Sequence, residues 1–301
     1  MNRLRFVFSL LYFGTALATL AQQSHSPELF NSQVFTPLNS FTSGVEGPAV
    51  DKTGNLFAVN YNHQGTIGQV TPDGKAGVFI ELPDGSIGNG IRFDSHGNML
   101  IADYTRHNVL RVDMKTRKVT VFAHESSMTQ PNDIAIDSKD RVYASDPDFK
   151  AGKGRIWKAE NNGKITLLDS MQGPANGIEI SPDEKILYVN AVPKVWAYEL
   201  LPSGNVGKKH LLAEFPEFGM DGMRCDIRGN LYIARFGKGT VVKVSPDGKV
   251  LQEIVLHGKR PTNLAFGGKD GRTVYVTVQD HGNVESFLSD FPGREWKMIN
   301  K

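Results

Sequence analysis

The chain has 301 residues, with 34 Lys plus Arg against 32 Asp plus Glu and a single cysteine, Cys225. Near-neutral charge argues against a nucleic-acid partner, whose phosphates call for a basic surface. One thiol cannot form an internal disulfide, so stability has to come from a buried core, which a chain of this length can build within one domain.

The first 21 residues differ in kind from the rest. Arg3 and Arg5 precede an uncharged run over 6–21, with small residues at Ala16, Ala18 and Ala21. This pattern predicts a secretory signal peptide over 1–21, a single domain over 22–301, and a secreted or periplasmic protein. The apolar run falls short of the roughly 20 residues that a spanning helix needs, so no stable membrane insertion of the mature chain is expected. Its removal takes two arginines and no acid, which leaves a net charge of zero.

A lone strand is expected over 32–38, with no neighbouring partner in sequence. One phrase then recurs: a polar residue, a short alternating strand, an Asp-x-x-Gly-Asn turn and an apolar strand. It is complete in Asp221-Gly222-Met223-Arg224-Cys225-Asp226 running through Gly229-Asn230 into Leu231-Tyr232-Ile233-Ala234. Its heads are Glu46, Asn89, Asn132, Asn176, Asp221 and Thr262, spaced 43, 43, 44, 45 and 41 residues apart. A period of that size built from strands and turns predicts an all-β fold, a six-bladed β-propeller of four-stranded blades. In the first repeat the strands are expected at 47–51, 56–60, 67–71 and 76–82, with Pro72-Asp73-Gly74-Lys75 turning between the last two. The sixth repeat ends near Phe287 with three clear strands. The segment 32–38 is expected to supply the fourth and close the ring, which hides sheet edges. No element is assigned over 291–301.

Chain direction puts the heads on one face and the Asp-x-x-Gly-Asn turns on the other, so Asp51, Asp94, Asp137 and Asp226 read as turn formers. All six heads carry a side-chain oxygen, and none is His or Cys. An oxygen-only ring at the channel mouth suits a hard divalent cation, Ca2+ or alternatively Mg2+ or Mn2+. Glu46 and Asp221 would balance its charge. The competing reading makes the heads strand-start caps; it weighs most for Asn89 and Thr262 and least for Glu46.

Glu46-Gly47-Pro48, Pro131-Asn132-Asp133, Asn176-Gly177 with Ser181-Pro182-Asp183, and Asp221-Gly222-Met223 stand in an order and spacing that resemble the senescence-marker-protein (regucalcin), gluconolactonase and luciferin-regenerating-enzyme family, over roughly residues 35–287. The resemblance implies that Glu46, Asn176 and Asp221 are metal ligands and that Asn132 contacts metal or substrate. It implies metal-assisted hydrolysis of a lactone, a sugar lactone or related cyclic ester, with Asp221 as catalytic base or nucleophile. Two positions depart from the pattern. Gln130 stands where sugar lactonases carry Arg, and Ala49 follows Pro48 where relatives often place an aromatic, which suggests a different or roomier pocket.

Loops at the head face are expected to supply substrate contacts. Asn89 and Asn132, together with Arg106, His107 and His281, are the substrate-binding candidates. Arg106 and Arg235 are suited to an anionic group if they are not simply solvated, and His107 and His281 to proton transfer. Asp103 and Asp146 are expected to bond loop amides. The competing functions are a non-catalytic, metal-braced propeller that binds a small ligand or protein partner, a phosphotriesterase (fluorophosphatase)-like hydrolase, and a propeller lyase.

Overall fold

The computed structural model describes residues 28–83 and 85–300, so the expected signal segment lies outside the described residues. Among the described residues twenty-four strands form six antiparallel sheets of four, five running outward in chain order from an innermost strand and the sixth taking its outermost strand from the start of the propeller. The innermost strands are Phe41–Val50, Gly88–Phe93, Ile134–Ile136, Ile178–Ile180, Met223–Cys225 and Pro261–Gly267. The first begins earlier than the sequence suggests, because Phe41 already pairs with Tyr61 across the blade.

Ring closure follows the expected route. In the sixth blade Gln33–Val34 pairs with the outer strand Asn283–Leu288, Gln33 opposite Ser286 and Val34 opposite Glu285. Ser32 Oγ donates to the buried Glu285 carboxylate at 2.8 Å, which ties the chain's first strand to its last blade.

The blade pattern follows from local chemistry. Four of the six turns opposite the heads are built by an aspartate: Asp94 accepts from the backbone N–H of His96 at 3.0 Å and of Asn98 at 2.8 Å. Gly97 between them holds φ at 79°, where a side chain would strain the backbone. Asp51, Asp137 and Asp226 bond their own turns in the same way, as expected. Alternating apolar residues then pack within and between blades, as in the Phe57–Phe79 ring contact at 5.0 Å inside the first blade and the Phe57–Phe93 contact at 5.8 Å with the second. Each fully buried side chain of this size contributes about 1.5–3 kcal/mol.

At the channel axis the strands approach so closely that side chains are rationed. A Cβ on Gly90 would lie 2.7 Å from the Asp133 carboxylate, and one on Gly222 only 1.9 Å from the Asn263 side chain. Small residues at these second positions therefore make room for Asp133 and Asn263.

The tail left unassigned by the sequence forms the helix Arg294–Ile299. It sits on the face away from the heads, and Glu295, Trp296, Met298 and Ile299 enclose a small space there with Ala49, Arg92 and Phe266. Ala49 thus faces the far end of the channel. It stands three residues, about 10 Å, along the extended strand from Glu46, so its small size does not widen the head-side cavity.

Candidate functional site

The heads converge. Glu46, Asn89, Asn132, Asn176, Asp221 and Thr262 all line one open cavity of about 510 Å3 at the channel mouth. That size suits a small-molecule ligand. Thr262 is the exception in role: its hydroxyl donates to Val45 O at 2.9 Å and meets Thr277 Oγ1 at 2.8 Å, so it closes the ring between blades.

Three of the other five are not satisfied by their surroundings. The Oδ1 atoms of Asn89, Asn132 and Asn176 are buried and accept no hydrogen bond from the protein. An acceptor buried in that state costs about 1–3 kcal/mol unless a ligand fills its need. Capping of strand starts, the alternative for Asn89, would have used that oxygen.

The two carboxyls reinforce the reading. Burial pushes the Glu46 carboxyl well above its usual range, and repulsion from Asp221 and Asp133 adds to the effect. Asp221 is pushed up to about 7, first by burial and then by Asp133, against hydrogen bonds from Asn176, Glu46 and the Gly222 N–H. Asp221 keeps partial solvent access through the mouth, but protein surrounds it at the range that governs desolvation. Glu46 and Asp221 therefore sit within hydrogen-bond reach of each other. Two carboxyls and three amide oxygens facing one space, with no Lys or Arg among the lining residues, fit a hard divalent cation. Glu46, Asn176 and Asp221 are grouped as ligands require, and Asn132 and Asn89 face the same space.

Backbone braces hold the ring in place. Asn190 Nδ2 donates to Asp221 O at 2.6 Å, and Ser145 Oγ donates to Asp133 O at 3.2 Å while accepting from Asp133 N. Asp146 accepts from the N–H groups of Thr129 and Gln130 at 2.8 and 2.6 Å, which fixes the loop leading to Asn132. Asp103 accepts from Ser86 Oγ and Asn108 Nδ2 at 2.8 and 2.9 Å. Both aspartates are loop braces, as the sequence suggests.

Three expected substrate residues, Arg106, His107 and His281, are not among the residues lining the cavity. Their loops are the right ones, but the inward position comes earlier in each. The residue directly after the second strand lines the cavity in five blades: Tyr104, Phe149, Val192, Phe236 and Gln279. Two or three residues later the turn has already moved outward. Arg235 is neither solvated nor a ligand group. It is buried, donates to the carbonyls of Gly219 and Glu217, and lies 4.4 Å over the Phe215 ring.

Sequence reasoning also missed the layer beneath the mouth. Asp133 accepts from Arg92 at 3.3 Å and Arg224 at 3.0 Å. Arg92 also meets Glu295 from the C-terminal helix, and Arg224 Nε lies 3.8 Å from the same carboxylate. Arg294 lies 3.6 Å from Glu179. The available signal was the fourth residue of each phrase, Ala in three repeats but Arg92, Glu179 and Arg224 in the others.

A six-bladed propeller with an oxygen-lined pocket at one end of its channel is the class that fold and site define. The chain belongs to the SMP-30/gluconolactonase/LRE-like family, whose model matches residues 44–280. It is 25% identical over 285 residues to a gluconolactonase of Zymomonas mobilis, covering 81% of this chain and 80% of that one. It is 34% identical over 177 residues to a 6-deoxy-6-sulfogluconolactonase of Pseudomonas putida, covering 54% and 58%. The fold matches the calcium-binding protein regucalcin of Agrobacterium tumefaciens with a TM-score of 0.74 at 23% identity, covering 89% and 95% of the two chains.

Proposed function

We propose that this chain is a divalent-cation-dependent hydrolase that opens a lactone ring, with Glu46, Asn132, Asn176 and Asp221 holding the ion and Asn89 beside them. The observation that carries the proposal is the set of buried, unpartnered Asn oxygens around two carboxyls that crowd each other in one open cavity. The gluconolactonase name of the Zymomonas mobilis relative supports lactone hydrolysis.

A bound Ca2+ supplies Lewis-acid polarisation of a carbonyl oxygen. Asp221 acts as the base: its carboxylate takes a proton from water as the water oxygen bonds to the lactone carbonyl carbon. The ring C–O bond then breaks, and Asp221 returns the proton to the departing alkoxide, giving the open hydroxy acid. Asn176 keeps the Asp221 carboxylate oriented through its hydrogen bond.

Calorimetric titration with Ca2+, Mg2+ and Mn2+, paired with turnover of a lactone panel and of a fluorophosphate with and without EDTA, tests this reading. Turnover unaffected by chelation removes the metal. Tight ion binding without turnover of any substrate supports a binding propeller, and preference for the fluorophosphate supports the phosphotriesterase reading. Export is part of the proposal and rests on Arg3, Arg5 and the uncharged run that follows. Mass spectrometry of material from a secreting host should give a mature chain starting at Gln22.

A further inference from the structure

We propose that the mouth of the cavity is two-sided, and that it selects uncharged lactones carrying an apolar substituent over polyhydroxylated or anionic ones. The inference rests on the hydrolase reading above and adds its substrate class.

The rim divides by blade. Tyr104, Phe149, Val192, Met220 and Phe236 line the cavity from the second to the fifth blade and form one continuous apolar arc. Gln279 of the sixth blade and Asn60 and Gln64 of the first line the remaining side. The Asn60 amide is already spent, donating to Gly44 O at 2.7 Å and accepting from Gly65 N at 3.1 Å. Gln64 and Gln279 are thus the amides facing a ligand from that side.

Four of the five side chains are open to water in full or in part, and Met220 is buried. Phe149 is 54% exposed and Val192 42% exposed. Exposed apolar groups that ring a pocket gain by covering with apolar ligand surface, at about 25 cal/mol per Å2. The phenol of Tyr104 bonds the side chain of Gln130. Gln130, the departure from the sugar-lactonase pattern, therefore sets a rim ring in place where an arginine would have brought charge.

Charge excludes the alternatives. No cation lines the cavity, and its ionisable groups are the acids Glu46 and Asp221. A phosphate or sulfonate on the substrate would find no side-chain counter-charge there, and Glu46 and Asp221 already offset the charge of a bound divalent ion. Arg235 is spent on the Gly219 and Glu217 carbonyls, and Arg260, 5.9 Å from the Phe236 ring, is not part of the lining. A polyhydroxylated ring would leave hydroxyls against the apolar arc without partners, a loss that sites impose at about 1–3 kcal/mol per group. An apolar tail laid on the arc, with the ring oxygens toward Gln64 and Gln279, satisfies both sides.

The test compares kcat/KM of the Ca2+-loaded full chain on δ-decalactone, δ-valerolactone, glucono-δ-lactone and 6-phosphoglucono-δ-lactone. It adds calorimetric binding of the non-hydrolysed δ-decalactam and δ-valerolactam. The expected result is an order in which δ-decalactone exceeds δ-valerolactone by about tenfold or more, with the phosphorylated lactone last. Phe149→Ala, at an exposed position outside the metal ring, should lower δ-decalactone turnover and δ-decalactam affinity several-fold more than it lowers δ-valerolactone turnover and δ-valerolactam affinity. Preference for glucono-δ-lactone or its phosphate, or a Phe149→Ala variant that affects both simple lactones equally, overturns the inference and leaves the hydrolase reading intact. Absence of turnover on every lactone overturns the hydrolase reading itself.

Discussion

The two ends of the channel use the same inner strands and the same kinds of side chain, and they reach opposite electrostatic states. At the far end, Arg92, Arg224 and Arg294 face Asp133, Glu179 and Glu295, with the C-terminal helix supplying one charge of each sign. At the mouth, Glu46 and Asp221 face each other and three buried amide oxygens, and no positive side chain lines the space. The protein balances its buried charges where the channel only has to be closed. It leaves them unbalanced where a ligand enters. The contrast separates structural ionic networks from a functional one more sharply than burial or residue type does, since both ends are buried and both are rich in acids.

The largest expected effect falls on chemistry at the mouth. Asp221→Ala should lower lactone turnover by about a hundredfold or more and abolish tight divalent binding, since it removes both a ligand charge and the base. The same change should raise the melting temperature measured in EDTA, because it relieves Glu46 of a repelling neighbour. A variant that binds Ca2+ as the parent does would dissolve the contrast between the two ends.

Next in size is the far end. Arg224→Ala leaves Asp133 and Glu295 short of a counter-charge and should cost about 3–5 kcal/mol of stability, read from denaturant unfolding. One arginine removed and one aspartate removed should thus move the stability of the cation-free protein in opposite directions. A stabilised or unchanged Arg224→Ala would show that the far network is not structural.

A moderate effect is expected with pH. Glu46 and Asp221 both have folded-state values raised above their unfolded ones, Asp221 to about 7. The folded state therefore binds more protons, so stability from this pair is complete below about pH 4 and is lost as pH rises through about 7. Glu179 is also raised, mainly by burial with Glu295 adding, and contributes with the same sign. Melting temperature in EDTA should fall between pH 5 and 8. Ca2+ should cancel the mouth's share and leave that of Glu179. A fall of equal size with and without the ion would place the whole effect outside the mouth.

The smallest effect tests the rim. Gln130→Ala removes the bond to the Tyr104 phenol, worth about 0.5–1.5 kcal/mol, and should change kcat/KM only a few-fold with ion affinity unchanged.

The fold and the head ring were legible in the chain because both rest on local rules. Asp-x-x-Gly-Asn builds its own turn within five residues, strands alternate with period two, and an even spacing of such units leaves a closed ring as the way to pair their edges. Gln33–Val34 closing the last blade and Glu46, Asn132, Asn176 and Asp221 gathering at one mouth follow from that arithmetic. The resemblance to the family was readable for the same reason, since its short motifs sit at the heads.

What the chain alone left open depended on direction and on distant partners. Tyr104 faces the cavity and Arg106 does not, although two positions separate them, because the turn between strands two and three bends outward within those residues. Ala49 lies at the far end because the extended strand carries it about 10 Å from Glu46 in three residues. The link from Glu295 to Arg92 and Arg224 joins segments roughly 200 and 70 residues apart, and no local pattern announces it. Local hydrogen bonding and periodicity decided the architecture and the ring of oxygens. Three-dimensional packing decided which side chains surround the substrate and which charges are paired, since both depend on groups that meet only after the six blades have closed.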